Sequence, residues 1–191
     1  TVSANESFSA SQQGGRISRG VPLLVMDLDA PPELRWQNTT NHWLQMGVFP
    51  QYIHDMAKKV TDPRLMAELE ALQDTMPVKD YYLREMKGIL AQVGLNQSYV
   101  KYLLAAAVYY EIGGLFPQPE AIGCAGLLAA MPNGTVVHGR NMDYSGFQVE
   151  VNGKTLYYPD VTVEVIHMRG GQPLFTSVAW PGSIGIHTAM R

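Results

Sequence analysis

The chain is 191 residues long, 46% hydrophobic and 16% charged, with a formal net charge of −3. That length fits one domain with a sizeable core, and a mild negative charge without a basic stripe gives no electrostatic footprint for nucleic acid. No apolar run approaches the roughly 20 residues of a membrane-spanning helix; the most apolar stretch, Tyr102 to Tyr110, is too short.

Residues 1–20 are rich in Ser, Gln and Gly and read as a flexible lead-in. Val21 to Asp29 reads as a strand, ended by Pro31-Pro32. A helical region, 21–123 with that strand, follows. Asp62 can cap a helix with Pro63 at its first position, and Leu65, Leu69, Leu72 and Met76 share one face. A second helix carries Tyr82, Met86, Ile89 and Val93, and Gly94 stops it. A third starts near Asn96 or Ser98 and passes Tyr99, Leu103 and Ala107 before Gly113. Gly113 to Gly123, with Pro117 and Pro119, reads as a loop.

The character changes at Cys124, so 124–191 forms a second region. Asn133-Gly134 between two apolar runs signals a hairpin with a two-residue type I′ turn. In that register Pro132 faces Thr135, and Cys124 faces Asp143 on the same side of the ribbon. Arg140 then falls on the opposite face, and joins Cys124 only through a bulge near Gly139 or Asn141. Leu156 to Met168, with Val161, Val163 and Val165 alternating, reads as another strand. The turn Arg169 to Gln172 and a strand from Leu174 to Trp180 follow. Helices first and antiparallel strands later give an α+β class.

Cys124 is the sole cysteine, so no internal disulfide is available. A thiol beside a carboxylate has the makings of a nucleophile and its orienting partner. His42, His54, His167 and His187 show no metal-ligand spacing, His138 on the Arg140 face reads as a structural histidine rather than a base, and no cofactor or metal is implied. Asn5, Asn38, Asn96 and Asn133 each open an N-glycosylation sequon, which points to the secretory route.

Two stretches carry a resemblance. Val25-Met-Asp-Leu-Asp-Ala-Pro31-Pro32-Glu33-Leu-Arg35-Trp36 resembles the N-terminal signature of the acid ceramidase and N-acylethanolamine-hydrolysing acid amidase family. Val137-His138-Gly-Arg140-Asn141-Met-Asp143-Tyr144 resembles their catalytic hairpin, and Trp180-Pro-Gly-Ser-Ile-Gly185 a strand and turn that follow it. The likeness covers about residues 21–191. The spacing of Cys124, Arg140 and Asp143 is shared with bile salt hydrolase and penicillin V acylase, so it marks a superfamily of N-terminal nucleophile hydrolases. The Pro-Glu-Arg-Trp stretch points to the acid amidase branch.

That resemblance implies an αββα sandwich with a helical α subunit. It implies self-cleavage between Gly123 and Cys124, which frees the Cys124 α-amino group as a base. Arg140 would favour the thiolate or oxyanion, and Asp143 would hold the ammonium. Lipid amides (N-acylethanolamines or ceramides) are the implied substrates, and a lysosomal or extracellular compartment the implied place. The strands after Cys124 are too few for two packed sheets, so a second polypeptide completing the β subunit is expected. The Tyr99–Tyr110 helix can also touch a membrane or micelle. Two rivals stand beside this reading: an amidase for conjugated bile acids or penicillins, and a catalytically silent relative. Cys124-Ala125-Gly126 in place of the family's usual Cys-Thr-Ser favours the second.

Overall fold

A computed structural model describes residues 20–59, 78–113, 123–143 and 148–190, with Pro63, Met66, Ala67 and Ala71 between them. The lead-in over 1–20 (all but its last residue), most of the helix expected after Asp62, and the loop before Cys124 lie outside the described residues.

The fold is mixed α/β. Strand β1 (Leu23–Asp27) runs parallel to β6 (Val163–Arg169), which is antiparallel to β7 (Gln172–Ala179), and β7 holds the short β8 (Ala189–Met190). The main sheet is therefore not wholly C-terminal: β1, the first strand among the described residues, is one of its edges. Against one face lie α1 (Pro32–Arg35), α2 (Gln37–Gln45), α3 (Gln51–Lys59), α4 (Asp80–Val93) and α5 (Val100–Gly113). Met26, Val163 and Val165 from the strands meet Trp43, Ile53, Met86, Leu90 and Leu103 from the helices in one buried cluster. Each such side chain contributes about 1.5–3 kcal/mol through burial. On the other face of β1, Leu23 and Val25 are exposed.

The helix ends follow from local chemistry. Gly94 ends α4 in the left-handed region at φ 74°, where glycine carries no Cβ penalty. The Asn96 side chain accepts the Ser98 N–H at 2.8 Å and opens the 3₁₀ turn that leads into α5.

The strand expected from Leu156 to Met168 is instead two strands. Strand β5 (Lys154–Tyr157) gives way to a single helical turn, α6 (Tyr158–Val161), before β6 begins. Pro159 supplies a helical φ in the first turn, and Asp160 Oδ2 accepts the Tyr157 N–H at 2.9 Å. Strand β4 (Gln148–Val151), which the sequence reading passed over, pairs with β5 across Asn152-Gly153. Both turn residues have positive φ, 50° and 75°, as a type I′ turn requires.

The Pro31–Trp36 stretch docks onto α4. Glu33 takes two hydrogen bonds from Arg84, at 2.6 and 3.0 Å. Arg35 and the Trp36 indole grip the two oxygens of Glu85 at 3.0 and 2.8 Å. Gly88 permits the approach, because a Cβ there would lie 2.0 Å from the Glu33 carbonyl oxygen.

Candidate active site

The candidate site lies on the hairpin of β2 (Gly123–Ala130) and β3 (Val136–Asp143). Its turn is not the expected two-residue loop. Met131 N–H donates to Thr135 O at 2.8 Å, and Gly134 N–H returns to Met131 O at 2.9 Å. Three residues, Pro132, Asn133 and Gly134, form the loop, and of the Asn-Gly pair only Gly134 has positive φ, 85°. Proline is the cause. A two-residue loop needs residue 132 to donate its N–H across to Thr135, and Pro132 has none. It instead presets φ at the second position of a type I turn, with Gly134 as the left-handed residue that closes the strands.

That single extra loop residue moves the register by one, and a one-residue slip reverses faces. Cys124 pairs with Met142, Gly126 with Arg140, and Gly123 with Asp143. The expected pairing of Cys124 with Asp143 is therefore wrong: by register the two fall on opposite faces. Arg140 moves the other way, onto the Cys124 face. It stands diagonally across the ladder, a separation of about 7–8 Å between such positions. The bulge expected near Gly139 or Asn141 is also absent, since pairing runs unbroken from Gly123 to Ala130.

Arg140 is exposed, and its guanidinium donates to the backbone carbonyl of His187. The His187 ring stacks on the Trp180 indole with centroids 4.9 Å apart. No sequence motif pointed to this loop as Arg140's partner, because the acceptor is a main-chain oxygen that any residue carries. His138 shares the Cys124 and Arg140 face and pairs with Leu128. The hairpin is otherwise uncovered among the described residues. Leu127 and Leu128, on its two faces, are each 69% exposed, which is unusual for adjacent leucines in a strand.

A cavity of about 540 Å³ opens between α4 and the sheet, walled by Met26, Trp36, Met86, Leu104, Phe175 and Ile186 among others. Ile186 precedes the His187 that Arg140 holds, so the cavity wall leads to the hairpin. Of the sequons, Asn5 lies outside the described residues. Asn38 is exposed on α2 and donates to Val25 O at 2.8 Å. Asn133, like Asn96, is exposed with its side-chain oxygen bonded to the N–H two residues on, here at 3.0 Å.

No family model matches the chain. Two curated proteins are similar to it, both acid amidases by name. One is the N-acylethanolamine-hydrolyzing acid amidase of Rattus norvegicus, 26% identical over 173 residues, 87% of this chain and 41% of that protein. The other is the protein of the same name from Caenorhabditis elegans, 22% identical over 171 residues, 87% of this chain and 44% of that protein. The chain is thus similar to these acid amidases at low identity and spans less than half the length of either. Among the described residues no helix is long and apolar enough to cross a membrane.

Proposed function

We propose that this chain carries the nucleophile of a cysteine amidase that hydrolyses lipid amides, N-acylethanolamines or ceramides, to a fatty acid and an amine. The observation that carries the reading is the placement of Arg140 on the Cys124 face of a hairpin whose sequence resembles the acid amidase hairpin. Self-cleavage between Gly123 and Cys124 activates it. The freed α-amino group, with a reference pKa of about 7.7–8.0, takes the proton of a thiol near 8.5. The thiolate attacks the amide carbonyl, the amine leaves, and water releases the acid from the acyl-enzyme. Arg140 favours the thiolate and the oxyanion.

The part the resemblance gives Asp143, holding the ammonium, is kept in the observed register. By register it pairs with Gly123, the residue that cleavage detaches, which supports a part at the new ammonium. An opposite charge there holds the amine and tunes its basicity. The apolar cavity beside Ile186 suits a single acyl chain. The four sequons support a secretory route to a lysosomal or extracellular site. The exposed leucines of the hairpin support a second polypeptide that covers it, since a lone two-stranded hairpin is marginal in water.

Intact-mass analysis after incubation at acidic pH tests the reading. Two fragments should form, the second beginning at Cys124, and Cys124→Ala should abolish both the cut and hydrolysis of an N-acylethanolamine. A chain that hydrolyses the amide while uncut defeats the mechanism, because an internal cysteine has no free amine. The silent-relative reading predicts no cut and no hydrolysis with the fold retained.

A further inference from the structure

The hairpin bearing Cys124 and Arg140 is joined to the folded body by a contact that the proposed chemistry does not use. Trp180-Pro181-Gly182-Ser183 forms a tight turn, with Ser183 N–H bonded to Trp180 O at 3.3 Å. Gly182 sits at φ 77°, the glycine position of a type II turn with proline before it. The turn is pressed into the core: a Cβ on Gly182 would lie 2.7 Å from the Tyr52 ring of α3. Beyond it the buried Ile184 joins the core cluster.

The chain then rises to His187, whose ring is held from beneath. It lies on Trp180 at an interplanar angle of 26°. Trp180 in turn meets the Tyr158 ring edge-on at 5.7 Å, and Ser183 Oγ approaches His187 Nε2 at 3.5 Å. One residue further on, Thr188 O accepts the Val178 N–H at 3.1 Å, which ties the loop back to β7. The His187 carbonyl is therefore fixed in space by the ring stack on one side and a strand bond on the other. Arg140 Nη1 donates to it. A carbonyl acceptor fixes the direction of a guanidinium without neutralising its charge. Such an anchor leaves the guanidinium its full charge on the Cys124 face of the hairpin.

We infer that the 180–187 loop is the positioning device for Arg140, with Trp180 and His187 as positioning residues that act on Cys124 only through that arginine. The inference rests on the reading of Arg140 as the group that favours the Cys124 thiolate. A tight site of this kind needs rigid support for its charged groups, and an exposed hairpin cannot supply it alone. The ring stack sets the height of the acceptor, so removing either ring lets the carbonyl and the guanidinium drift together.

The test reads the thiol directly, without requiring amide hydrolysis. Full-length protein is alkylated with iodoacetamide across pH, and modification of the Cys124 peptide is followed by mass spectrometry. Arg140→Ala should slow alkylation at pH 6 about tenfold, the effect of raising a thiol pKa by one unit. Trp180→Ala and His187→Ala should each reproduce most of that slowing, and Trp180→Phe, which keeps a stacking face, should restore the rate. In the Arg140→Ala background Trp180→Ala should add nothing, because both changes remove the same effect. An equal slowing in both backgrounds overturns the inference, as does Trp180→Ala alkylating at the wild-type rate while Arg140→Ala is slow. If Arg140→Ala itself leaves the profile unmoved, the reading of Arg140 fails and takes the inference with it. Should Trp180→Ala not fold, His187→Ala in the same two backgrounds decides the question.

Discussion

The Trp36 indole and the Glu85 carboxylate are joined by a 2.8 Å hydrogen bond across the interface of the Pro31–Trp36 segment and α4. Arg35 holds the other carboxylate oxygen at 3.0 Å, and the Glu85 side chain is only 8% exposed. Removing the carboxylate strands the indole N–H and leaves the guanidinium its bond to the Ala30 carbonyl at 3.1 Å but no counter-charge. Glu85→Ala should cost about 3 kcal/mol, as expected for breaking a largely buried pair from one side. Glu85→Gln, which keeps an acceptor for the indole, should cost about 1 kcal/mol. Urea unfolding of the three proteins measures the difference.

Gly88 gives a prediction with opposing terms. Alanine improves an α-helix interior by about 1 kcal/mol over glycine. Here its methyl group would meet the Glu33 backbone at 2.0 Å, and backbone cannot rotate away. Overpacking should win, so Gly88→Ala should lower stability by about 2 kcal/mol net. A melting temperature equal to or above that of the wild type would contradict the docking geometry.

His167 sets an acid limb to stability. Its Nε2 meets Ser177 Oγ at 2.8 Å, its ring stacks on Phe175 at 4.2 Å, and among the described residues its Nδ1 has no partner. Burial lowers its pKa from 6.5 to about 4. The unfolded chain therefore takes up the proton first. Stability is intact above pH 6.5, falls as the pH drops towards 4, and levels off below that. The loss at pH 4.5 should be on the order of 2–3 kcal/mol. His167→Gln can still bond to Ser177 but cannot titrate, so its unfolding free energy should fall by that much less between pH 7 and pH 4.5.

Disulfide trapping reads the register of the hairpin. Directly paired, non-hydrogen-bonded strand positions lie about 4.5 Å apart at Cα, within the span a disulfide bridges. Met142→Cys should oxidise with Cys124 under mild conditions, seen as a loss of two hydrogens in the intact mass. Asp143→Cys should not. The reverse result would restore the two-residue turn.

Helices α4 and α5 were legible because their signals are local: an apolar stripe, Gly94 at one end, Asn96 at the next start. The hairpin was legible as a hairpin and illegible in register. Two Asn-Gly pairs occur, and only the one at 152–153 makes a type I′ turn. What separates them is the residue before. Pro132 lacks the N–H that closes a two-residue loop, whereas Val151 has it and pairs with Lys154. Pro159 was likewise readable as the end of a strand, but the valine alternation around it masked the break. The parallel partner of β1 could not be read from either strand, because each is apolar whatever lies beside it. The His187 carbonyl carries no side-chain signature at all.

The edge position of β1 bears on what a cut between α5 and β2 would do. Leu23 to Asp27 lies zipped along Glu164 to Met168, Glu164 N–H is bonded to Pro22 O at 2.8 Å, and the Trp43 indole reaches Val161 O at 2.9 Å. The piece before such a cut is dovetailed into the piece after it by main-chain bonds along a strand and by a shared hydrophobic interior. Cutting that connection would nick the protein without parting it. The two pieces should travel as one particle through a sizing column and come apart only in denaturant, so a gel and a column would give different answers about how many chains the molecule has.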